Sequence, residues 1–306
     1  MQKNNTKINI VIFAFGFMGN SVFESLINNK LFEIKGVILP QDNLLYFSNI
    51  KKINKKIKIL YSDKLSDVYK FIKKLGPDMV IISTFNKILD NKILNLSKFV
   101  NIHHGRLPQQ KGRASINWAI IMGRKDIYIT IHEVIPQLDS GKIILQKKIN
   151  ISKKDNYNKT QNKISLFLKQ NIAFIIKKYM DNKFTLKNND SSKETWNCSR
   201  NPEDSMINFF DKRKNVYNLI RGSDGQKFGA FCFLKEKKIT ILEANIKSKK
   251  RFEGIIPGRI VKLNQDNSID CLCSDGVLTI TKISYKNKIL KPKKIIKSTR
   301  CTLLND

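Results

Sequence analysis

The three histidines of this 306-residue chain limit where imidazole chemistry can occur, and two of them lie in one short polar stretch. Residues 101–108 read Asn-Ile-His-His-Gly-Arg-Leu-Pro, directly after an apolar run that is typical of a buried strand. Because alternate residues of a strand project to the same side, Asn101 and His103 are predicted to point together. An amide that stabilises an oxyanion beside an imidazole that moves a proton favours acyl transfer.

A carboxylate that could support this pair is Asp139, in the turn sequence Leu138-Asp139-Ser140-Gly141. Such a group would orient the His103 imidazole and raise its basicity. Each feature alone is a weak signal, since an Asp before Ser-Gly is more often only a turn residue. Of the other histidines, His104 projects from the opposite strand face and is expected to pack, and His132 lies inside a predicted strand, where a structural role is expected.

The elements that must position these residues alternate between short apolar strands and amphipathic helices, which predicts a Rossmann-like α/β domain built on a parallel sheet. In such sheets ligands bind beyond the carboxyl ends of the strands, where Asn101 and His103 are placed. The predicted strands are Lys7–Phe15, Ile34–Leu39, Ile57–Tyr61, Met79–Ser83, Phe99–His103, Ile127–Val134 and Ile143–Ile151. The predicted helices are Ser21–Asn29, Asp67–Leu75, Ser115–Met122 and Asn162–Met180.

Composition changes between about residues 182 and 201, where Asn, Asp, Ser and Lys dominate and the apolar periodicity lapses, as in a linker. The chain is therefore predicted to consist of a catalytic domain (1–184), a linker (185–206) and a C-terminal domain (207–306). A helix near Asn215–Arg221 and five short strands in the last part indicate a small β-barrel of the OB type. These strands are Ala230–Leu234, Lys238–Ala244, Gly258–Leu263, Ser268–Cys273 and Gly276–Lys282.

With Leu107-Pro108 between them, Asn101-Ile102-His103 and Asp139-Ser140-Gly141 resemble the motif of the folate-dependent formyltransferase family. The resemblance implies direct formyl transfer from 10-formyltetrahydrofolate to an amine, without a metal. Asn101 would donate to the oxyanion, and His103 would relay the proton while Asp139 holds the ring. The positions that match the family's folate contacts are Lys87, Ile88, Leu89, Arg113, Ile135, Pro136, Gln137 and Leu138.

Within the family, the chain is most similar to formyltransferases of sugar-nucleotide amines, of the UDP-4-amino-4-deoxy-L-arabinose type. Residues 111–118, Lys-Gly-Arg-Ala-Ser-Ile-Asn-Trp, resemble a stretch of that group. Residues 130–132, Thr-Ile-His, do so too, whereas methionyl-tRNA formyltransferases typically have Met in place of the histidine. Arg200–Asp204, Tyr217–Arg221 and Phe228–Phe231 resemble the opening of the group's C-terminal domain.

The chain also departs from the family pattern. Gly105-Arg106 replaces the usual Ser-Leu, Lys111 replaces a common Arg, and Ser115 replaces a Pro. After Arg221, residues 222–227 replace a stretch that is usually rich in Pro and aromatic residues, so the acceptor site is expected to differ.

The net charge of +32 is the feature that favours a nucleic-acid partner. The basic residues are spread over both parts of the chain, however, and the position of the basic loop with which methionyl-tRNA formyltransferases grip the acceptor stem reads Gln41–Tyr46, which is not basic. Three hypotheses follow: formylation of a nucleotide-linked amino sugar, formylation of methionyl-tRNA, and a folate-sensing domain without activity. The intact Asn101, His103 and Asp139 argue against the third.

The sequence disfavours a nicotinamide site, a zinc site, a membrane protein and a disulfide-rich protein. The glycines of Phe15–Gly19 lack the spacing of a nicotinamide site, and Cys271 and Cys273 lack a second pair of zinc ligands. No stretch has the length of a membrane span, and five cysteines fit a reducing, cytoplasmic setting better than a disulfide framework. Whether the chain forms a homodimer stays open.

Overall fold

The computed structural model describes residues 7–14, 16–40, 56–223, 229–246, 248 and 250–304. The chain folds as two compact units. The first consists of Met1–Gly112, Ile127–Ile149 and Gln161–Asn197, and the second of Arg113–Asp126, Asn150–Thr160 and Cys198–Asp306. The predicted domain boundaries, which place a linker at residues 185–206, stay a prediction.

The first unit is built on a seven-stranded sheet in the order β3-β2-β1-β4-β5-β7-β8. Neighbours from β3 to β5 pair in parallel, whereas β5 and β7 pair antiparallel. A separate pair of two-residue strands, β6 and β9, is parallel. The strands are β1 (Ile8–Ala14), β2 (Phe32–Leu39), β3 (Lys58–Tyr61), β4 (Met79–Ser83), β5 (Lys98–His103), β6 (Lys111–Gly112), β7 (Asp126–Glu133), β8 (Ile143–Asn150) and β9 (Trp196–Asn197).

The centre of this sheet is apolar on both faces, as expected for parallel strands that are covered on both sides. All five residues of β4 are buried, and the last five of β1 are as well. Val68 and Ile72, on the buried face of the helix Leu65–Leu75, belong to the same core cluster as the sheet residues Val11 and Phe13. Burying each such side chain contributes roughly 1.5–3 kcal/mol. The helices up to residue 180 are α1 (Gly16–Ile27), α2 (Leu65–Leu75), α3 (Asn91–Leu94), α4 (Ser115–Ile121) and α5 (Tyr157–Met180).

The prediction of a Rossmann-like α/β domain is confirmed. Its predicted strands are found within about two residues of their ends, whereas α1 and α5 each begin five residues earlier than predicted. The direction of β7 was not predicted. A parallel neighbour of β5 would need a crossover helix against the sheet, but α4, the only helix described between the two strands, belongs to the second unit. Phe15 and the stretch Gln41–Tyr46 lie outside the described residues.

The second unit contains an antiparallel sheet in the order β10-β11-β14-β13-β12, with β15 paired to β14. The predicted small β domain is therefore present, but with six strands rather than five and as a half-barrel. The short β15, in a lysine-rich stretch, lacks the apolar alternation that would have predicted it. The elements are α6 (Arg213–Ser223), β10 (Phe231–Leu234), β11 (Lys237–Asn245), β12 (Ile260–Leu263), β13 (Ile269–Cys273), β14 (Gly276–Tyr285) and β15 (Lys288–Leu290), with short 3-10 turns at Ser191–Lys193, Pro202–Ser205 and Pro292–Lys294.

Within the second unit, Arg221 of α6 holds segments together that are distant in sequence. Its guanidinium is buried and donates to the carbonyl oxygen of Asp155 (2.8 Å) and to Asn218 Oδ1 (2.9 Å). Nearby, Asn117 Nδ2 of α4 donates to the carbonyl oxygen of Gly222 (2.8 Å). These bonds join α4, residues 150–160 and α6 in one unit.

Replacing Arg221 with Leu is expected to lower the free energy of unfolding by about 3 kcal/mol, because buried acceptors lose a charged donor. Urea unfolding followed by circular dichroism measures the change. Lys214→Gln on the exposed face of the same helix is the control and is expected to change the free energy by less than about 0.5 kcal/mol. Equal stability of the two variants would contradict the structural role of Arg221.

Candidate active site

The candidate site lies at the carboxyl end of β4 and β5. The register pairs Ile82 of β4 with Asn101 of β5, so that Asn101 is level with the end of β4 and His103 lies two residues farther along. The loop that follows β5 is held by Thr130 Oγ1, which donates to the carbonyl oxygen of Gly105 (2.6 Å). Gln146 Nε2 donates to the carbonyl oxygen of Leu107 (2.6 Å) in the same loop.

The structure brings Asn101, His103 and Asp139 together. His103 Nδ1 lies 3.4 Å from Asp139 Oδ2, and Asn101 Nδ2 lies 3.4 Å from Asp139 Oδ1. Both His103 and Asp139 are 7% exposed. The three side chains come from one strand end and one turn, and they form a compact group of donor, base and carboxylate.

The hydrogen bonds of His103 indicate which ring nitrogen carries the proton. Nε2 lies 2.7 Å from the carbonyl oxygen of Gln110, which can only accept. Nε2 is therefore assigned the hydrogen. In the neutral ring, Nδ1 then carries the lone pair and faces Asp139.

The electrostatics of the site favour a neutral His103 and an ionised Asp139. Burial lowers the pKa of His103 below its ordinary value, against the opposing effects of Asp139 and the Gln110 carbonyl. Burial alone would raise the pKa of Asp139, but its contacts with His132 and His103 and the amide of Gly112 outweigh that effect and lower the pKa. The imidazole is thus available as a base next to a carboxylate that would stabilise its protonated form.

The position of the His103 ring depends on Gly105. A Cβ at this residue would lie 2.6 Å from His103 Nε2 and 2.8 Å from the carbonyl oxygen of Gln110. Both distances are shorter than a Cβ tolerates, so any larger residue must displace the ring or the loop. Gly105 is one of the departures from the family pattern, and the absence of a side chain there lets the ring reach Gln110.

His132, for which a structural role was expected, contacts the predicted trio. Register places His132 of β7 opposite Asn101 of β5. Its Nδ1 lies 2.7 Å from the carbonyl oxygen of Glu133, so that in the neutral ring Nε2 accepts from Asn101 Nδ2 at 3.1 Å. The ring is 2% exposed and also lies 3.5 Å from Asp139. The signal that could have revealed it is the antiparallel pairing of β5 with β7.

His104 follows the last residue of β5. Its Nε2 is buried and has no hydrogen-bond partner among the described residues. Burial, with a smaller effect of the neighbouring His103, lowers the pKa of His104 to about 3. The ring is therefore neutral at physiological pH.

A cavity of about 70 Å³ is lined by two members of the trio, Asn101 and Asp139, but not by His103. It is bordered by Asn101, His132 and Asp139 and by all but one of the residues that were predicted to contact folate. The exception, Arg113, is exposed and belongs to the second unit. The predicted residues on the cavity wall are Lys87, Ile88, Leu89, Ile135, Pro136, Gln137 and Leu138.

No group of three or more His, Cys, Asp or Glu side chains among the described residues could hold a metal ion. No helix in the described part of the chain is long and apolar enough to cross a membrane.

Comparison with known proteins identifies the family. Residues 49–174 match the formyl transferase domain, and residues 200–300 match the formyl transferase C-terminal domain. Methionyl-tRNA formyltransferase of Thermodesulfovibrio yellowstonii is 30% identical over 231 residues, which cover 74% of this chain and 72% of that protein. The chain belongs to the formyltransferase family.

Other formyltransferases resemble the chain over more of its length. The bifunctional polymyxin resistance protein ArnA of Wigglesworthia glossinidia brevipalpis is 28% identical over 96% of this chain, which spans only 48% of ArnA. The structure of WlaRD, a sugar 3N-formyl transferase solved with dTDP and 5-N-formyl-THF, superimposes with a TM-score of 0.65 at 18% identity, over 92% of this chain and 99% of WlaRD. Further relatives are methionyl-tRNA formyltransferases. This formyltransferase thus has relatives in both acceptor classes.

Replacing Gly105 with Ala is expected to lower the pKa of His103 further, because the hydrogen bond from Nε2 to the Gln110 carbonyl raises that pKa and would be lost. The neutral ring would then persist to lower pH, and any rate that needs neutral His103 would fall off at lower pH. NMR titration of the three imidazoles measures the shift, with assignments from His104→Gln and His132→Gln.

The matched control is Gly254→Ala, since a Cβ at Gly254 meets nothing within 4 Å. It is expected to leave all three titrations unchanged. An unchanged His103 titration in Gly105→Ala would mean that the ring does not depend on the bond to Gln110.

Proposed function

We propose that this formyltransferase transfers the formyl group of 10-formyltetrahydrofolate to the amine of a nucleotide-linked amino sugar. The observation that carries the proposal is the meeting of Asn101, His103 and Asp139, of which Asn101 and Asp139 line one cavity. A donor, a base and a carboxylate are the groups that transfer of an acyl group to an amine requires.

His103 acts as the base in this proposal. The acceptor amine forms a bond to the formyl carbon and must lose a proton, which His103 Nδ1 accepts. The resulting imidazolium is held between the carboxylate of Asp139 and the carbonyl oxygen of Gln110. The proton then passes to the folate nitrogen as its bond to the formyl carbon breaks, so that His103 returns to its neutral form.

Asn101 stabilises the negative charge that develops on the formyl oxygen. Of its two amide contacts, the one to His132 is the shorter and the one to Asp139, at 3.4 Å, is the weaker. The N–H that faces Asp139 is therefore the one that an oxyanion would take over, while His132 keeps the amide in place. Removing one such donor typically costs about 10²–10³ in kcat.

The cavity wall fits a folate in its chemistry. Ile88, Leu89 and Leu138 offer apolar contacts, Lys87 is exposed and lies 3.2 Å from Asp63, and the backbone of residues 135–138 offers donors and acceptors for the edge of a pterin. The folate supplies the formyl group that is transferred. The volume of about 70 Å³ is below the roughly 300–1,000 Å³ of typical ligand sites, so the exposed residues 135–138 must move apart on binding.

Two observations support a sugar-linked acceptor. First, the match to ArnA covers 96% of this chain, whereas the matches to five methionyl-tRNA formyltransferases cover 72–89% of it. Second, His132, the residue in which the chain resembles the sugar-nucleotide group, contacts Asn101 directly. The resemblance therefore extends into the immediate surroundings of the proposed chemistry.

The alternative acceptor is the amino group of methionyl-tRNA. It is favoured by the many methionyl-tRNA formyltransferases among the relatives and by the net charge of +32. A positive surface of this size would attract RNA through its phosphates. The spread of the charge over both parts of the chain argues for general attraction of anions rather than for one RNA-binding face.

Purified protein with 10-formyltetrahydrofolate is expected to formylate a UDP- or dTDP-linked amino sugar with the amine at position 3 or 4, and to do so faster than methionyl-tRNA. Mass spectrometry of the product, a gain of one formyl group, measures the reaction. Formylation of methionyl-tRNA alone would overturn the choice of acceptor but leave the chemistry intact.

Asn101→Ala and His103→Asn are each expected to lower kcat by at least about 10² without unfolding the chain, because each removes a group that acts in the transition state. Asp139→Asn removes the charge opposite His103 and is expected to lower both kcat and the pKa of His103. Asp181→Asn, at an exposed carboxylate paired with Lys177 and Lys183, is the control and is expected to be as active as the wild type. Activity in His103→Asn that equals the wild type would show the assignment to be wrong.

A further inference from the structure

Residues 187–197, inside the segment that was predicted to be a linker, lie against the turn that carries Asp139. We call these residues the strap. At one end, Lys187 exchanges two backbone hydrogen bonds with Ile143, of 2.8 and 2.9 Å. At the other end, β9 pairs with β6, and Lys111 N donates to the carbonyl oxygen of Thr195 (2.9 Å). Both ends of the strap are thus attached to the first unit on either side of the Asp139 turn.

The turn itself has an unfavourable backbone. Asp139 has a φ of 49°, in the left-handed region that non-glycine residues adopt only where surrounding contacts impose it. One such contact comes from the strap: Asn189 Nδ2 donates to the carbonyl oxygens of Asp139 (2.8 Å) and Gly141 (3.1 Å). A single side chain therefore binds the carbonyl groups of the two residues that flank Ser140.

A second link between strap and turn is the buried cation of Lys111. This side chain is 1% exposed, and its Nζ donates to Ser140 Oγ (2.7 Å) and to Glu194 Oε2 (2.6 Å). The Lys111 ammonium also lies 5.4 Å from the ring centroid of Trp196. The hydrogen bond from Lys111 lowers the pKa of Glu194, with a smaller contribution from Trp196. The pair joins a turn residue to a strap residue through one charge.

The strap also places the backbone amide that contacts the Asp139 carboxylate. Gly112 N lies 3.2 Å from Asp139 Oδ2. The carbonyl oxygen of Asn197 would lie 2.6 Å from a Cβ at Gly112, whose φ is 89°. Only glycine permits this close approach of the strap, and the approach aims the amide at Asp139.

We propose that Lys111, Asn189 and Glu194 are positioning residues, which hold Asp139 against His103 and so set the basicity of that imidazole. The proposal rests on the proposed function, since it assigns the strap a part in the same reaction. None of the three residues borders the cavity. They act through the turn and not on the substrates.

Changes in the strap are expected to affect kcat and KM differently. If Asp139 moves away from His103, the imidazolium loses its partner, so kcat falls. The strap side chains are not among the residues that line the cavity, although Leu138 and Asp139 of the turn are. KM for folate and for the acceptor amine is therefore expected to change less than kcat. The pKa of His103 falls as well, because Asp139 raises it.

The experiment compares Asn189→Ala, Glu194→Ala and Lys111→Met with two controls on the same strap, Asn188→Ala and Lys193→Met. Asn188 and Lys193 are both exposed. Each strap variant is expected to lower kcat at least tenfold with KM within twofold, and to lower the pKa of His103 in an NMR titration. The controls are expected to match the wild type. Lys111→Arg, which keeps the charge and the donors, is expected to retain most of the activity and the His103 titration.

Thermal unfolding distinguishes a folding defect from a positioning defect. Should Lys111→Met fail to fold, the half-buried Asn189 and Glu194 carry the test. Wild-type kcat and a wild-type His103 titration in both of their Ala variants would overturn the proposal. The titration needs no substrate, so if the wild type formylated no amine, the proposed function would fail while the titration would still decide whether the strap sets His103.

Discussion

The contact between the buried His103 imidazole and the Asp139 carboxylate is the interaction on which the rest of the site depends. Burial removes basicity from an imidazole and favours the neutral form of a carboxyl group. Both groups are 7% exposed, and an ionised Asp139 would stabilise the protonated form of His103. The Gly112 amide donates to the carboxylate and favours its charged form. In the proposed reaction, the basicity of His103 therefore depends on Asp139.

This contact requires two independent parts of the fold. His103 extends beyond the last residue with which β4 pairs, so that its ring reaches past the edge of the parallel strands. Asp139 lies in a turn whose left-handed backbone is supported by side chains from distant residues. The sheet is held by a large apolar core, whereas the turn is held by a few hydrogen bonds and one buried charge. The turn is the part of the site in which single polar substitutions act most strongly.

Sequence patterns predict the apolar sheet of this molecule better than the polar turn and strap. The apolar strands β1, β2, β4 and β5 and the helix α2 were predicted to within about two residues, because spacing of buried side chains is visible in the sequence. The motif predicted the trio, whose roles stay a prediction. The strap was interpreted as a linker because its polar composition resembles one. Its structure comes from hydrogen bonds to residues about 50 to 85 positions away, which no local pattern shows. The contact of His132 with Asn101 was not predicted for a similar reason, since it depends on the antiparallel register of β5 and β7.

The structure explains two departures from the family pattern, Gly105 and Lys111, by the contacts that these residues make or permit. A side chain at residue 105 would collide with the His103 ring, so Gly105 is compatible with the observed bond from Nε2 to the Gln110 carbonyl and a Ser is not, unless the ring or the loop moves. Lys111, where Arg is common, reaches Ser140 and Glu194 with one ammonium group. A guanidinium carries the same charge and more donors, so an Arg at this position would offer donors to the same two oxygens. The two departures act on the two partners of one contact: Gly105 on the position of His103, and Lys111 on the turn that carries Asp139. Each changes how its partner is held and leaves the chemical groups of the site unchanged.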